Sequence, residues 1–194
     1  MKQVKGVTNA VAIVPAAGKG ERFGGAKLLA DVGGMTMLDR TLECLLEAGV
    51  DQVVVVLPPA ARFETVKRLS DPHVLVVVNP DPSRGMFSSI QVGIEAAHGN
   101  PMLVLPGDMP FVSAGTVVSV VSEYGRVGGI VVPRHDGHRG HPIALPDHMK
   151  PRVLEAPAAG NLSAVLKASG VGRTEIDVPD AGILRDVDVR GDLS

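Results

Sequence analysis

The sequence predicts an α/β fold in which an open, mostly parallel central sheet carries helices on both faces. Short aliphatic runs alternate along the chain with stretches long enough for helices, a pattern typical of such sheets. The runs are nearly all apolar, as expected for strands that are covered on both faces. Aromatic residues make up only 3% of the chain and Trp is absent, so Val, Leu, Ile and Ala must fill the core.

Five strands are expected in the first two thirds of the chain, with helices between them. The strand candidates are Val11–Val14, Val53–Leu57, Val74–Val78, Met102–Leu105 and Ile130–Val132. The helix candidates, with apolar residues at three- and four-residue spacing, are Leu38–Ala48, Ala60–Leu69, Met86–Ala97 and Ala114–Tyr124. The last third is less regular, and there we predict strands at Ile143–Leu145 and Glu175–Val178 and short helices at His148–Glu155 and Leu162–Ala168.

Length and composition exclude several classes of protein. The 194 residues fit one domain, spanning 1–194, and are too few for a closed eight-unit barrel of about 250 residues. A net charge of −2, with the charges scattered, argues against a nucleic-acid partner. The lone Cys44 excludes an intrachain disulfide and is predicted to be a buried, inert thiol.

The sequence also predicts a cytoplasmic protein with no membrane partner. No apolar stretch approaches the roughly 20 residues that span a bilayer. The first 18 residues loosely imitate a secretion signal, but the apolar run Val11–Val14 is short and is better explained as a first strand.

A glycine-rich loop with two cations follows the first strand. Small residues let backbone amides approach a phosphate chain closely, and the charges of Arg22 and Lys27 can hold a triphosphate and its departing pyrophosphate. An ordinary strand-to-helix turn is the alternative, but glycines together with two spaced cations favour phosphate binding. The predicted nucleotide-binding residues of this loop are Ala16, Ala17, Gly18, Lys19 and Gly20.

Two common phosphate loops do not fit this segment. A dinucleotide-binding loop needs a third glycine where Phe23 stands, and a Walker loop needs Ser or Thr directly after a Gly-Lys pair, whereas Ala26 precedes Lys27 and Leu28 follows it. A nicotinamide-dependent dehydrogenase and a P-loop NTPase are therefore disfavoured.

Three acidic residues are candidate ligands of Mg²⁺. Asp108 lies between Gly107 and Met109-Pro110, directly after the fourth strand, where a carboxylate would face a cleft. A helix cap is an equally good explanation of Asp108 taken alone. Asp186 and Asp188 form a D-x-D pair, which places both carboxylates on one side of an extended backbone. A solvated acidic turn is the alternative for that pair.

Two further segments carry candidate binding residues. After the third strand, Asn79, Gly85, Ser88 and Ser89 precede or begin a helix, where exposed hydroxyls and amides could read a nucleobase, although a plain helix cap explains them equally well. The histidines of the loop 135–142 do not match familiar zinc spacings. That loop is better interpreted as a basic segment that binds an acceptor.

These motifs together resemble the molybdenum cofactor nucleotidyltransferases, and most closely their cytidylyltransferase branch. The loop A-A-G-x-[SG]-x-R-[FM]-G-x-x-K is matched from Ala16 to Lys27. Asn-Pro, Gly-Met and Ser-Ser follow at 79–80, 85–86 and 88–89, then G-D-M-P at 107–110 and R-G-H-P at 139–142. The D-x-D close stands at 186–188, so the match spans nearly the whole chain in the family's order.

The resemblance implies a Rossmann-like nucleotidyltransferase fold and a Mg²⁺-dependent transfer of CMP from CTP to the phosphate of molybdopterin. The Gly-Met-x-Ser-Ser form at 85–89 favours cytosine over guanine. Pro15 stands where the family usually has Leu, and an isoprenoid cytidylyltransferase family carries Pro there, so the acceptor stays open. By this resemblance the catalytic residues are Lys27, Arg22 and Asp108, the metal ligands are Asp108, Asp188 and Asp186, and the acceptor-binding residues are Arg139 and His141.

Two classes of alternative remain. The chain could transfer GMP or another nucleotide to a different acceptor, such as a sugar phosphate, a methylerythritol phosphate or a phospholactate. It could instead be a non-catalytic, nucleotide-binding maturation partner that forms a stable complex with a molybdenum hydroxylase. For the enzyme, contact with such a hydroxylase is expected to be transient.

Overall fold

Within the described residues, one sheet of eight strands forms the centre of the protein. The computed structural model describes residues 9–18, 27–59, 63 and 65–193. The strands are β1 (Val11–Pro15), β2 (Gln52–Leu57), β3 (Val74–Val78), β4 (Met102–Val104), β5 (Ile130–His135), β6 (His138–Arg139), β7 (Ile143–Leu145) and β8 (Arg173–Asp177). Their order across the sheet is β3-β2-β1-β4-β7-β5-β6, and β8 also pairs with β5.

The pairing is parallel on both sides of β1, with β2 on one side and β4 on the other. The strand order therefore reverses between β1 and β4, and ligands of open α/β sheets bind beyond the carboxyl ends of the strands at such a point. Strand β7 runs antiparallel to both β4 and β5, whereas β8 is parallel to β5. The predicted mostly parallel sheet is confirmed.

Five α-helices pack against the sheet in the described part of the chain. They are α1 (Met37–Glu47), α2 (Met86–Ala96), α3 (Ala114–Val127), α4 (Lys150–Glu155) and α5 (Leu162–Ala168). Thr36, Ser113 and Asn161 cap α1, α3 and α5, since the side-chain oxygen of each accepts a backbone N–H of the first turn. Helix α3 ends at Gly128, whose φ of 66° favours glycine.

The core forms two layers, one on each face of the sheet. On one face α1 and α3 pack against alternate residues of β1 and β2, including Ala12 and Val14. On the other face α2, α4 and α5 pack against the residues between them, including Val11 and Ile13. The predicted placement of helices on both faces is confirmed.

Two predictions about individual elements need correction, and one strand was missed. Strand β3 is not covered on both faces, because it lies at one end of the strand order and Leu75, Val76 and Val78 are 39%, 40% and 53% exposed. The helix predicted at Ala60–Leu69 is absent from its described residues, where only a 3-10 helix, Lys67–Ser70, is found. Residues 60–62 and 64 lie outside the described residues. Strand β6, which forms a hairpin with β5, was not predicted.

Cys44 is buried in α1, as predicted, and burial raises the pKa of its thiol to about 12. No helix in the described part of the chain has the length and apolar character needed to cross a bilayer.

Candidate functional site

A lysine held between two carboxylates lies at the carboxyl ends of β1 and β4. The Lys27 ammonium is 2.8 Å from Asp108 Oδ2 and 2.8 Å from Asp188 Oδ1. The three residues are far apart in the sequence and meet where the strand order reverses. The Lys27 side chain is only 11% exposed, whereas the Asp108 and Asp188 side chains are 28% and 49% exposed, so the ammonium is shielded and its partners face solvent in part.

The charge state of Lys27 follows from these contacts. Burial by itself lowers the pKa of the ammonium, but hydrogen bonds and charges from Asp108 and Asp188 outweigh it and raise the pKa above its ordinary value. Lys27 is therefore charged at neutral pH. A shielded ammonium needs such partners, because an unpaired charge loses its hydration without compensation.

The loop that presents Asp108 is fixed through its neighbour, Gly107. The Gly107 N–H donates to the Pro15 carbonyl at 3.1 Å, and the Thr41 hydroxyl of α1 donates to the Gly107 carbonyl at 3.1 Å. A Cβ at this position would lie 3.3 Å from Ala16 Cβ and 3.3 Å from Leu38 Cδ1, so glycine allows the loop to pack closely. Sequence patterns did not predict the role of Thr41, because Gly107, whose carbonyl it binds, is 66 residues away.

The segment 178–188, called the C-terminal strap below, brings the second carboxylate to the site. The Val187 N–H donates to the Asp108 carbonyl at 3.0 Å, and the Val187 side chain is fully buried. Asp188 contacts Lys27, whereas Asp186 is exposed and interacts electrostatically with His141. Asp188 therefore belongs to the site around Lys27, whereas Asp186 lies at the surface, where its charge acts on His141.

His141 is half-buried beside the carboxylates. Its backbone N–H donates to the Ile183 carbonyl at 3.1 Å. Burial lowers the pKa of the imidazole, and the negative charges of Asp108 and Asp186 oppose this only in part. His141 is therefore neutral near pH 7 and can both donate and accept a hydrogen bond.

We call Lys27, Asp108 and Asp188 the lysine cluster. Arg139 does not contact this cluster in the described part of the chain. It is exposed, and its Nε donates to Glu175 Oε1 of β8 at 2.6 Å. Glu175 is also 3.8 Å from Arg134, and Arg134 pairs in turn with Asp177 at 2.8 Å. The bond to Glu175 uses the Nε of Arg139, and a phosphate could engage the other donors of this exposed guanidinium or take the place of Glu175.

The predicted base-reading residues form a buried hydrogen-bond network. Asn79 Nδ2 donates to the hydroxyls of Ser88 and Ser89 at 2.9 and 3.0 Å, and the Ser88 hydroxyl donates to the Gly85 carbonyl at 2.7 Å. All three side chains are at most 3% exposed, so the expectation of exposed hydroxyls is wrong. Gly85, with a φ of 92°, begins α2 and is itself exposed.

The phosphate-loop residues are described only in part. Ala16 and Ala17 are buried, and the Ala16 N–H donates to the Val56 carbonyl at 2.9 Å, while Gly18 is exposed. Lys19, Gly20 and Arg22 lie outside the described residues.

The lysine cluster has the donor chemistry of a magnesium site. Asp108 and Asp188 each bring a carboxylate oxygen to one cation, the Lys27 ammonium, so both can reach a common positive charge. No set of three His, Cys, Asp or Glu side chains able to hold a metal ion occurs among the described residues, the histidine-rich loop included. Two carboxylates still suit Mg²⁺, which usually takes one or two from the protein and the rest of its ligands from water and substrate phosphates.

A family model described as the MobA-like NTP transferase domain matches residues 12–174. The chain belongs to this family. The match covers β1, the carboxyl ends of β1 and β4, and Lys27 and Asp108, but ends before the C-terminal strap.

Three curated proteins with similar sequences are named for three different activities. It is 34% identical to the nicotine blue oxidoreductase of Paenarthrobacter nicotinovorans over 73% of this chain and 72% of the relative. It is 24% identical to the molybdenum cofactor cytidylyltransferase of Escherichia coli over 93% and 92%. It is 30% identical to the 2-C-methyl-D-erythritol 4-phosphate cytidylyltransferase of Rhodococcus opacus over 90% and 80%.

Solved structures confirm the Rossmann-like nucleotidyltransferase fold. A nucleotidyl transferase of a Methanothermobacter species superposes with a TM-score of 0.78 at 25% identity, covering 95% of this chain and 94% of the other. A manganese complex of the Mycobacterium tuberculosis protein Rv0371c superposes with a TM-score of 0.68 at 22% identity, covering 88% of each chain. A divalent cation is thus bound by one protein of this fold.

Proposed function

We propose that this chain transfers CMP from CTP to the phosphate of a molybdopterin-type cofactor, with release of pyrophosphate. The observation that carries the proposal is the Lys27 ammonium, held by Asp108 and Asp188 where the strand order of the sheet reverses. Membership of the MobA-like family supports nucleotidyl transfer as the reaction class. The resemblance to cytidylyltransferases in both sequence motifs and the Escherichia coli relative supports the choice of CTP and of the acceptor.

Asp108 and Asp188 would hold Mg²⁺, with Asp186 as a third candidate ligand. The fit rests on the oxygen donors of both carboxylates, which already converge on one cation at 2.8 Å. When bound, the ion would neutralise negative charge on the α-phosphate. The strap and the Gly107 loop hold the two carboxylates in place before any ligand binds, and such preorganisation is where electrostatic catalysis gains most.

Lys27 would exchange the carboxylates of Asp108 and Asp188 for the phosphates of the nucleotide. Its ammonium could stabilise the negative charge on the β- and γ-phosphates, a role that the sequence motif also gives to Arg22. An oxygen of the acceptor phosphate attacks the α-phosphorus, the bond between that phosphorus and the bridging oxygen breaks, and pyrophosphate leaves. A phosphate monoester with a second pKa of about 6 is mostly dianionic at neutral pH, so the step needs no general base.

The acceptor would bind on the side of β5 and β6. His141, which is neutral and half-buried beside Asp108 and Asp186, could donate a hydrogen bond to the acceptor without adding charge. Arg139 would exchange Glu175 for the acceptor phosphate. The network of Asn79, Ser88 and Ser89 would act on the base indirectly, by fixing the backbone at Gly85 where α2 begins. We place the protein in the cytoplasm, with transient contact to a molybdenum hydroxylase.

The test is pyrophosphate release measured with each of CTP, GTP, ATP and UTP, with Mg²⁺ and molybdopterin. The proposal predicts release with CTP that depends on molybdopterin and is not supported by methylerythritol phosphate. Release with GTP would keep the reaction and change the base. Release with methylerythritol phosphate would move the chain to isoprenoid cytidylyl transfer.

Two results would contradict nucleotidyl transfer as the reaction. Tight CTP binding without turnover on any acceptor would favour the non-catalytic maturation partner. The relative named nicotine blue oxidoreductase calls for a parallel assay of nicotine blue reduction with a set of electron donors. Dye reduction by a protein that binds none of the four nucleotides would favour an oxidoreductase.

A further inference from the structure

The carboxylate of Asp180 ties the C-terminal strap to the first turn of α3. Its Oδ2 accepts the Ser113 N–H at 3.0 Å, the Ser113 hydroxyl at 2.9 Å and the Thr116 hydroxyl at 2.6 Å. Its Oδ1 accepts the Gly182 N–H at 2.9 Å. One carboxylate therefore joins an end of α3, which is anchored in the core through Val117 and Val120, to the start of the strap.

Close contacts continue along the strap from Asp180 towards the site. Gly182 packs against the Phe111 carbonyl so tightly that a Cβ there would overlap it. The Arg185 guanidinium lies 4.0 Å from the centre of the Phe111 ring. The Ile183 carbonyl accepts the His141 N–H, and the Val187 N–H donates to the Asp108 carbonyl. The strap thus runs against the site from its anchor to Asp188.

Helix capping explains only part of the role of Asp180: its Oδ1 caps the 3-10 helix Ala181–Leu184 through the Gly182 N–H, whereas its Oδ2 accepts hydrogen bonds from α3. Ser113 already caps α3, because its hydroxyl oxygen accepts the Thr116 N–H at 3.2 Å. Burial favours the protonated form of Asp180, but hydrogen bonds from Thr116, Ser113 and Gly182 outweigh it and lower the pKa of the carboxyl. The group is therefore a charged acceptor whose hydrogen bonds tie the strap to the first turn of α3.

We propose that Asp180 is a positioning residue that fixes the strap so that Asp188 binds a divalent cation beside Asp108. The inference rests on the proposed function. Partners that orient metal ligands typically contribute about 10- to 100-fold to metal affinity. Asp180 would act in this way through the seven residues of backbone, 181–187, that separate it from Asp188.

The experiment measures Mn²⁺ binding by electron paramagnetic resonance, with and without CTP, in the wild type and Asp180→Asn. The amide keeps the size of the side chain but removes its charge and places a donor against the Ser113 and Thr116 donors. We expect Mn²⁺ affinity to fall by about 10-fold or more, with turnover partly restored by excess Mg²⁺. Glu123→Gln is the matched control, because it removes the carboxylate that pairs with Arg126 near the far end of α3 and should leave metal affinity unchanged.

Thr116→Val is the second variant, in case Asp180→Asn does not fold. It removes one of the four hydrogen bonds to Asp180 and should weaken Mn²⁺ binding less than Asp180→Asn does. If either folded variant has lowered thermal stability but wild-type affinity for Mn²⁺, the inference is overturned, and Asp180 then has a structural role only. Wild-type protein that binds no Mn²⁺ would overturn the proposed function as well, so the two failures are distinguishable.

Discussion

Lys27 is the residue on which the charge balance of the site depends. Two carboxylates and one ammonium leave the cluster with a net charge of −1 when all three are ionised, and the ammonium is 11% exposed. A divalent cation cancels only part of the negative charge of an ionised triphosphate, so the metal–nucleotide complex is still anionic but less so than the nucleotide alone. The net charge of the cluster therefore favours the metal–nucleotide complex over the nucleotide without metal.

Replacing Lys27 with Met should reduce kcat/KM for CTP by about 100-fold or more, because a group aimed at developing negative charge is lost. Steady-state pyrophosphate release measures the effect. The control is Lys67→Met, which removes an exposed lysine of the 3-10 helix Lys67–Ser70 and should change nothing. Equal kinetics for both variants would remove Lys27 from the site.

His141 should make stability depend on pH. Its folded-state pKa lies below the ordinary value of 6.5, so the unfolded chain takes up a proton before the folded protein does. The contribution is present above the unfolded-state pKa and is lost as pH falls through it towards the folded-state pKa. Urea unfolding at pH 7.5 and pH 5 should show a smaller loss of stability for His141→Gln than for the wild type. An equal loss in both proteins would contradict the assigned shift.

At the scale of elements, the five α-helices of the described residues were predictable, whereas the helix predicted at Ala60–Leu69 was wrong and the C-terminal strap was not predicted. Helices α1, α2 and α5 were predicted to within a residue or two, because their apolar residues repeat at helical spacing and face the sheet. The strap is held by backbone contacts to Phe111, His141 and Asp108, which leave no periodic signal in the sequence. The D-x-D pair was visible as a motif, but its division between Lys27 and His141 depends on those contacts.

Gly182→Ala should destabilise the protein by about 1–3 kcal/mol, because the added Cβ overlaps the Phe111 carbonyl and the strap must shift. Gly125→Ala is the matched control on the exposed face of α3, where a Cβ meets no atom within 4 Å. It should stabilise the protein by about 0.5–1 kcal/mol through its effect on the helix. Chemical denaturation measures both, and a stabilising or neutral Gly182→Ala would show that the strap does not pack as described.

At the scale of the whole molecule, sequence patterns predicted the class of fold but not the order of its strands. Alternating strands and helices indicate a parallel sheet, yet the antiparallel β7 lies between β4 and β5. Hydrophobicity likewise could not show that β3 lies at an end of the order, because its five aliphatic residues match those of a central strand. Lys27, Asp108 and Asp188 were predicted as separate motifs, and the strand order accounts for their meeting.

Ligand binding should stabilise the whole molecule through the site. A ligand present at 100 times its Kd raises the free energy of unfolding by about 2.7 kcal/mol when it binds only the folded protein. We expect CTP with Mg²⁺ to raise the Tm in thermal unfolding, and CTP with a chelator to raise it much less. An equal rise in both conditions would place the nucleotide away from the carboxylates.

Calorimetric binding of CTP, with and without Mg²⁺, to the wild type and to Asp108→Ala tests the central claim most directly. The variant retains the backbone bond from Val187 to the Asp108 carbonyl and should stay folded, and Asp147→Ala serves as a control at an exposed acidic residue. We predict Mg²⁺-dependent CTP binding in the wild type and in Asp147→Ala, with the dependence lost in Asp108→Ala. Metal-dependent binding that survives in folded Asp108→Ala would contradict the assignment of the site.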